Sequence, residues 1–149
     1  MSYTQLIYHI VIRTKHSQPT IVNEHSNELY RYIYGFIRNK KSVLHRINGT
    51  PNHIHILVAL HSTLSLSNFV KELKTSTNSW IKQSGKFPNF QSWGKKYSAF
   101  TLRYQERERV IEYIKNQREH HKQETFVDEY RRLIQDNGIE IDEQYFLAD

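Results

Sequence analysis

Apolar residues in the first part of the chain follow the two-residue period of a β-strand. In residues 3–13 one face carries Tyr8, Ile10 and Ile12, and the other carries Ile7, His9 and Val11. Both faces are largely apolar, which predicts a strand in the middle of a sheet. Further strands are predicted over residues 42–47, 53–60 and around 97–103. Asn48-Gly49 and Pro51 lie between the second and third strands and predict a hairpin loop of more than two residues.

The segments between these strands carry apolar residues at the three- to four-residue spacing of α-helices. Helices are predicted over residues 24–40, from Ser65 or Ser67 to about residue 83, and over residues 106–122. Thr125, with Asp128 three residues later, has the form of a capping box and predicts a fourth helix that ends at residues 136–138. The last eleven residues are expected either to dock on a neighbouring element or to fray.

The predicted order is strand, helix, strand, strand, helix, strand, followed by further helices. This is the ferredoxin-like (βαββαβ) order, an α+β fold in which an antiparallel sheet has helices packed on one face. The length of 149 residues is typical of one domain, so a single domain over residues 1–149 is expected. In this fold the second face of the sheet is left uncovered and is available to another part of the molecule or to a partner.

Two histidines interrupt the apolar third strand, in the stretch TPNHIHILVAL (residues 50–60). Because side chains two apart on a strand point to the same face, His53 and His55 are expected side by side. Burying two imidazoles without partners costs a few kcal/mol, which favours a shared metal ion. The alternative is a half-exposed pair satisfied by hydrogen bonds, and the motif alone does not decide between the two.

A late helix offers a third ligand and a reactive group. Tyr113 and Gln117 are four residues apart and therefore share one helix face, which could lie across the open face of the sheet. His120 and His121 are close enough in sequence to be rival ligands. The alternative is that Tyr113 belongs to an ordinary core stripe, since Val110, Ile114 and Gln117 have the matching spacing.

The composition favours a nucleic-acid partner. With 21 Lys and Arg against 15 Asp and Glu, the net charge is +6, and a basic surface of this kind suits polyanions. There is no cysteine, hence no disulfide or thiolate metal site. The N-terminal segment lacks the features of a secretory signal. The sequence contains no run of about 18 apolar residues, the length needed to span a membrane. A cytoplasmic protein is the expectation.

Four stretches of this chain resemble the single-tyrosine transposases of the insertion-sequence-200-like family, in the HUH (His-hydrophobic-His) endonuclease superfamily. In chain order they are PNHIHILV, LSNFVKELKTSTNSWI, WGKKYSAFTL and VIEYIKNQREHH, and the resemblance runs over nearly the whole chain, including the closing TFVDEYRRLIQDNGIEIDEQYF. The resemblance implies that His53, His55 and Gln117 bind a divalent cation, either Mg²⁺ or Mn²⁺. It implies that Tyr113 is the nucleophile, which attacks single-stranded DNA and forms a 5′-phosphotyrosine with a free 3′-OH.

The resemblance also implies partners. The family recognises DNA hairpins at the ends of its own element and works as a homodimer, with Tyr113 of one chain reaching the histidines of the other. Basic residues that could contact the DNA backbone are Arg38, Lys40, Lys41, Arg46, Lys71, Lys74, Lys82, Lys95 and Lys96, with Tyr97 as an aromatic that could stack on a base. A solvated surface is the alternative for each.

The resulting prediction is a transposase, a metal-dependent single-strand endonuclease that cleaves and transfers DNA strands. The main alternative is a domesticated, non-catalytic nucleic-acid-binding regulator of the same fold, although such a protein has no need to keep all four site residues. A structural metal-binding domain would unfold without its ion. A two-histidine phosphoesterase needs His-x-Ser/Thr twice, and only His61 begins such a motif.

Overall fold

The computed structural model describes residues 2–149, whose strands and first two helices follow the predicted order, while three helices instead of two follow the last strand. The strands and helices are β1 (Ile7–Thr14), α1 (Asn23–Asn39), β2 (Val43–Thr50), β3 (His53–Ala59), α2 (Leu66–Ser84), β4 (Trp93–Thr101), α3 (Arg107–Lys115), α4 (Gln117–His120) and α5 (Phe126–Asp136). Short 3-10 turns at Lys15–Ser17 and Tyr104–Glu106 follow β1 and precede α3. None of the helices within residues 2–149 is long and apolar enough to cross a membrane.

The four strands form one antiparallel sheet in the order β2-β3-β1-β4. This order, with β1 and β3 in the middle, confirms the predicted ferredoxin-like arrangement. In the β1–β3 register, Val11 pairs with His55 and Arg13 with His53. The two histidines therefore lie on a central strand near the end of the sheet where β3 begins.

The predicted alternation of strand faces is confirmed. Ile10 and Ile12 of β1 and Ile54 and Ile56 of β3 belong to a core that includes the buried residues of α1 and α2. The opposite face of the sheet is covered by the C-terminal helices, where Val11 packs with residues of α5. The sheet face that the sequence left open is thus the face that carries the histidines.

The turn between β2 and β3 contradicts the prediction of a longer loop. Thr50 pairs with His53, so only Pro51 and Asn52 form the connection, and Asn48-Gly49 belong to the strand. A Cβ atom at Gly49 would lie 2.2 Å from the carbonyl oxygen of His53. The glycine is therefore needed for close approach of β2 to the first residues of β3.

The predicted helix over residues 106–122 is divided in two at Asn116, which has non-helical dihedral angles. The side chain of Asn48 on β2 donates hydrogen bonds to the carbonyl oxygens of Ile114 (3.2 Å) and Lys115 (3.0 Å). These bonds satisfy carbonyls at the end of α3 that a continuous helix would use itself. They also fix the break against the sheet, so that α4 begins with Gln117 over the histidines.

Predicted capping residues begin helices α2 and α5. Ser65 accepts a hydrogen bond from the Asn68 amide at the start of α2, and Gly85 ends that helix with a φ of +70°. Thr125 accepts from the Asp128 amide at the start of α5. The C-terminal segment docks rather than frays, since Asp149 forms a buried ion pair with Arg13 at 2.9 Å.

Candidate metal site and nucleophile

His53 and His55 lie side by side and fully buried beneath α4 and α5. Their ring centroids are 5.0 Å apart, and Phe126 at the start of α5 stacks on the His53 ring at 4.1 Å. The strand period places both imidazoles on this face, while the C-terminal helices exclude water from them. The rings are consequently held in a fixed geometry and cannot be satisfied by solvent.

Glu129 of α5 reaches down between the two rings and completes a cluster of three buried potential ligands. Its Oε1 atom lies 3.3 Å from Nε2 of both His53 and His55. The cluster can supply three ligand atoms that all lie within 4.8 Å of one another. Metal–ligand bonds of about 2.0–2.2 Å place neighbouring ligands roughly 3.0–3.6 Å apart, so the cluster could hold a metal ion.

Hydrogen bonds on the far side of each ring set the ligand atoms. His53 Nδ1 donates to Asn52 Oδ1 at 2.7 Å, which leaves Nε2 with its lone pair facing Glu129. His55 Nδ1 and His9 Nε2 are 2.8 Å apart and share one proton. When His55 donates it, its Nε2 also presents a lone pair to the cluster. Such partners orient metal-binding histidines and fix their tautomers.

Burial keeps His53, a candidate ligand, and the nearby His9 in their neutral forms. Burial lowers the pKa of His53 to about 4, and the nearby Glu129 carboxylate only partly opposes this effect. Burial and the neighbouring His55 lower the pKa of His9 to about 3. Both rings are therefore uncharged at neutral pH. A neutral His53 nitrogen beside the Glu129 carboxylate suits a divalent cation.

The Glu129 carboxylate is ionised although it is fully buried. Burial by itself would raise its pKa, but the hydrogen bond from His121 and the close approach of His53 and His55 outweigh burial and lower the pKa well below its usual range. His121 Nε2 lies 2.9 Å from Oε1, the same oxygen that faces the two histidines. The cluster thus carries one fixed negative charge, with His121 at its edge.

The second oxygen of Glu129 holds the tyrosine and the glutamine. The Tyr113 hydroxyl donates to Oε2, and the Gln117 amide nitrogen donates to the same oxygen at 2.8 Å. The Gln117 carbonyl oxygen lies 3.2 Å from His53 Nε2, so it points toward the candidate metal position. A guanidinium nitrogen of Arg132 donates to the Tyr113 oxygen at 3.0 Å.

The environment of the Tyr113 phenol disfavours its ionised form in the absence of a cation. Burial raises its pKa, and so does the negative charge of Glu129, while Arg132 acts in the opposite direction. The phenol is half-buried, on the wall of a cleft of about 360 Å³ that Arg132 also lines. A substrate could therefore reach the phenol from the cleft, whereas Glu129 behind it is sealed.

The structure brings His53, His55, Tyr113 and Gln117 together in a single chain. Of the two rival histidines, His121 contacts Glu129 at 2.9 Å, whereas His120 bonds to Glu124 at 2.5 Å and its Nε2 lies 3.8 Å from Glu129 Oε2. Three residues at this site were not predicted from the sequence: Glu129, Arg132 and His9. One signal could have identified Glu129, because it lies within the apolar stripe of α5 formed by Phe126, Tyr130 and Leu133. A carboxylate there must be paired when buried.

The basic residues proposed to contact DNA form two groups at opposite edges of the sheet. Arg38, Lys40, Lys41 and Arg46 lie at the end of α1 and on β2, while Lys74, Lys95 and Lys96, with Lys71 one turn before Lys74, lie near β4. Three strand spacings, about 14 Å, separate the two edge strands. Lys74 Nζ donates to three carbonyl oxygens, of residues 94, 95 and 96. Lys40 pairs with Glu72.

Comparison with known proteins gives both a family and related folds. The family model described as "Transposase IS200 like" matches residues 2–117. The crystal structure of a candidate transposase from Deinococcus radiodurans is 22% identical, with a TM-score of 0.62, covering 78% of this chain and 93% of that one. A REP-associated tyrosine transposase bound to a REP hairpin is 13% identical, with a TM-score of 0.58, covering 78% of this chain and 68% of that one. The curated proteins contain no match.

At these identities the two structures support the fold, and the family match supports the identity. That match covers well over half of the chain and includes His53, His55, Tyr113 and Gln117. It ends before Glu129 and Arg132, which lie on α5. The chain belongs to the IS200-like transposase family.

Proposed function

We propose that this transposase cleaves and rejoins single-stranded DNA by a metal-dependent reaction in which Tyr113 is the nucleophile. The observation that carries the proposal is the placement of one carboxylate, Glu129, between two groups. Its Oε1 faces the Nε2 atoms of His53 and His55, and its Oε2 accepts the hydrogen bond of the Tyr113 phenol. A nucleophile and a cation-binding cluster so close together suit phosphoryl transfer.

The metal would be held by His53, His55 and Glu129, with the carbonyl oxygen of Gln117 as a fourth ligand. The family resemblance implies Gln117 as a ligand beside the two histidines, and Glu129 is added to that set here. The Gln117 carbonyl oxygen lies 3.2 Å from His53 Nε2, which is compatible with its role as a ligand. A bound Mg²⁺ or Mn²⁺ polarises a phosphate oxygen and stabilises charge in the transition state. The mixed set of imidazole and oxygen donors is compatible with either ion.

The chain's own residues account for the remaining chemistry. The Tyr113 oxygen attacks phosphorus and gives up its proton to solvent in the cleft, while the bond from phosphorus to the 3′ oxygen breaks and that oxygen takes up a proton from solvent. The products are a 5′-phosphotyrosine and a free 3′-OH. In the reverse direction a 3′-OH attacks the phosphotyrosine and the phenolate leaves. A phenol suits both directions because it is a better leaving group than an aliphatic alcohol.

We infer that catalysis takes place within one chain. The family resemblance implies a homodimer with shared sites, but here the Tyr113 ring lies 5.9 Å from the ring of His55 in the same chain. Mixing Tyr113→Phe with His55→Ala tests this inference. Sharing between chains would restore cleavage in the mixture, whereas assembly within one chain leaves it inactive. A homodimer remains a separate prediction, to be measured by analytical ultracentrifugation.

The proposed substrate is a hairpin of single-stranded DNA at the ends of the protein's own element. The net charge of +6 favours a polyanion, and a structural neighbour is a tyrosine transposase bound to a hairpin. Arg46 and Lys41 at one edge of the sheet, or Lys95 and Lys96 at the other, would contact the backbone. Substitutions that weaken binding at only one edge would identify which edge the strand follows.

The decisive experiment is a denaturing gel of the protein with labelled hairpin DNA from the sequence that flanks its gene, with Mg²⁺ or Mn²⁺. A slowly migrating covalent adduct is expected that requires the metal and is absent from Tyr113→Phe. Tyr104→Phe is the matched control, because this exposed tyrosine lies outside the site, and it should retain the adduct. Binding without an adduct would favour the non-catalytic regulator, and an adduct that survives Tyr113→Phe would assign another nucleophile.

A further inference from the structure

We propose that Arg132 is a further catalytic residue, which holds the Tyr113 oxygen and stabilises the negative charge that this oxygen carries during strand cleavage and rejoining. The inference rests on the proposed role of Tyr113. Its basis is direct contact with the reacting atom, since the guanidinium lies 3.0 Å from the phenol oxygen. Arg132 lies on α5, beyond the segment that the family model matches.

The guanidinium is held in position by a second carboxylate. Arg132 donates to both oxygens of Glu124, from Nε at 3.1 Å and from a terminal nitrogen at 2.9 Å. That terminal nitrogen is also the one that contacts Tyr113. Two-point binding of this kind orients a guanidinium plane in a way that a lysine ammonium cannot reproduce. Glu124 thus positions the donor before any substrate arrives.

The charges around the phenol oxygen explain why a positively charged side chain is needed beside it. When phosphotyrosine is cleaved, the bond from phosphorus to the phenol oxygen breaks and that oxygen retains the electron pair. The carboxylate of Glu129 lies on one side of the oxygen and repels this charge. Arg132 lies on the other side and offsets it. Because cleavage and rejoining pass through the same transition state, the guanidinium should accelerate both.

Access to the site is consistent with this role. Arg132 is partly exposed and, with Tyr113, Leu102 and Val110, lines the cleft beside the phenol. A phosphate in the cleft can therefore reach the phenol without displacing the Arg132–Glu124 pair. The neighbouring Arg131 differs, because it pairs with Glu143 and lies over the Phe146 ring on another side of α5.

Arg132→Ala tests the inference by single-turnover cleavage of the hairpin at saturating DNA. Removing a donor to a developing oxyanion should slow adduct formation by about 10²- to 10³-fold, with the Kd for DNA unchanged. Added guanidinium ion should restore part of the rate to Arg132→Ala but none to Tyr113→Phe. Arg131→Ala, the matched control, should cleave at the wild-type rate.

Two further variants separate catalysis from folding. Arg132→Lys keeps the charge and Glu124→Gln keeps the guanidinium but loosens it, so both should show intermediate rates with unchanged circular dichroism. A wild-type rate in Arg132→Ala would overturn the inference, as would a defect that vanishes at saturating DNA. If the wild-type protein forms no adduct, the proposed function itself fails, which is a distinguishable result.

Discussion

Acid should destabilise the metal-free protein well above the pH at which most domains unfold, because two buried histidines resist protonation. In the unfolded chain their pKa is 6.5, whereas in the folded protein it is about 4 for His53 and about 3 for His9. Between these values the unfolded state binds more protons than the folded state, so stability falls as the pH falls. The loss begins near pH 6.5 and is complete only below the folded pKa values.

The size of the effect follows from these differences. Each pH unit below 6.5 costs about 1.4 kcal/mol per histidine, so at pH 5 each ring has cost about 2 kcal/mol and the two together about 4 kcal/mol. Full protonation would cost about 3 kcal/mol for His53 and about 5 kcal/mol for His9. The total is comparable with the entire stability of a domain, about 5–15 kcal/mol. At pH 4 the two rings together cost about 6 kcal/mol, which would place the acid midpoint above pH 4 for a domain near the lower end of that range.

Urea denaturation in the presence of EDTA, followed by circular dichroism from pH 7 to pH 4.5, measures this loss. His9→Gln retains hydrogen-bonding capacity but does not titrate, so it should lose only about half as much stability between pH 7 and pH 5. A wild-type free energy of unfolding that changes by less than about 1 kcal/mol over that interval would refute the reasoning. It would mean that water reaches the two imidazole rings in the folded protein, or that the rings are already protonated there.

Three substitutions test other parts of the site. Glu129→Gln keeps the size of the side chain but removes its charge. It should weaken Mn²⁺ binding on the order of 100-fold or more, measured by titration calorimetry. An unchanged Kd would exclude the carboxylate as a ligand. Asn52→Ala removes the acceptor for His53 Nδ1 and should weaken the same binding about 10- to 100-fold; an unchanged Kd would show that Asn52 does not orient the His53 ring. Gly49→Ala places a Cβ atom 2.2 Å from the carbonyl oxygen of His53. It should lower the free energy of unfolding by about 1–3 kcal/mol and therefore lower the Tm in thermal unfolding. An unchanged Tm would show that β2 can shift freely.

The fold and half of the site were predictable because they depend on short-range periodicity. The two-residue period fixes which face of β3 carries His53 and His55, and the four-residue spacing brings Tyr113 and Gln117 near each other even though the helix breaks between them. The break itself was not predictable, because it depends on Asn48, a residue more than 60 positions away in the sequence. Nothing local in residues 106–122 indicates it.

Glu129 was missed for a related reason. It comes to the histidines from α5, and the sequence does not specify how that helix crosses the sheet. The longer hairpin loop was predicted wrongly because Asn48-Gly49 is a strong turn signal, yet here the glycine serves the close approach of β2 to β3. Arg132 gave no signal, since an arginine on a helix is ordinarily solvated. Its role depends on Glu124 and Tyr113, which surround it only in the folded chain.

Glu129 also makes the metal site and the nucleophile dependent on each other. Its Oε1 faces the histidines and its Oε2 accepts the hydrogen bond of the Tyr113 hydroxyl, so one carboxylate group contacts both. Without a metal ion, the negative charge of Glu129 opposes charge on the phenol oxygen, and Arg132 offsets it. A divalent cation held by His53, His55 and Glu129 would make the local charge positive, which would favour a charged phenol oxygen. Metal would then promote cleavage through the nucleophile as well as through the phosphate.

Glu129→Gln should remove the effect of the metal on the nucleophile. When Mg²⁺ is exchanged for Mn²⁺ at saturating concentration, the cleavage rate of this variant should therefore change less than that of the wild-type protein.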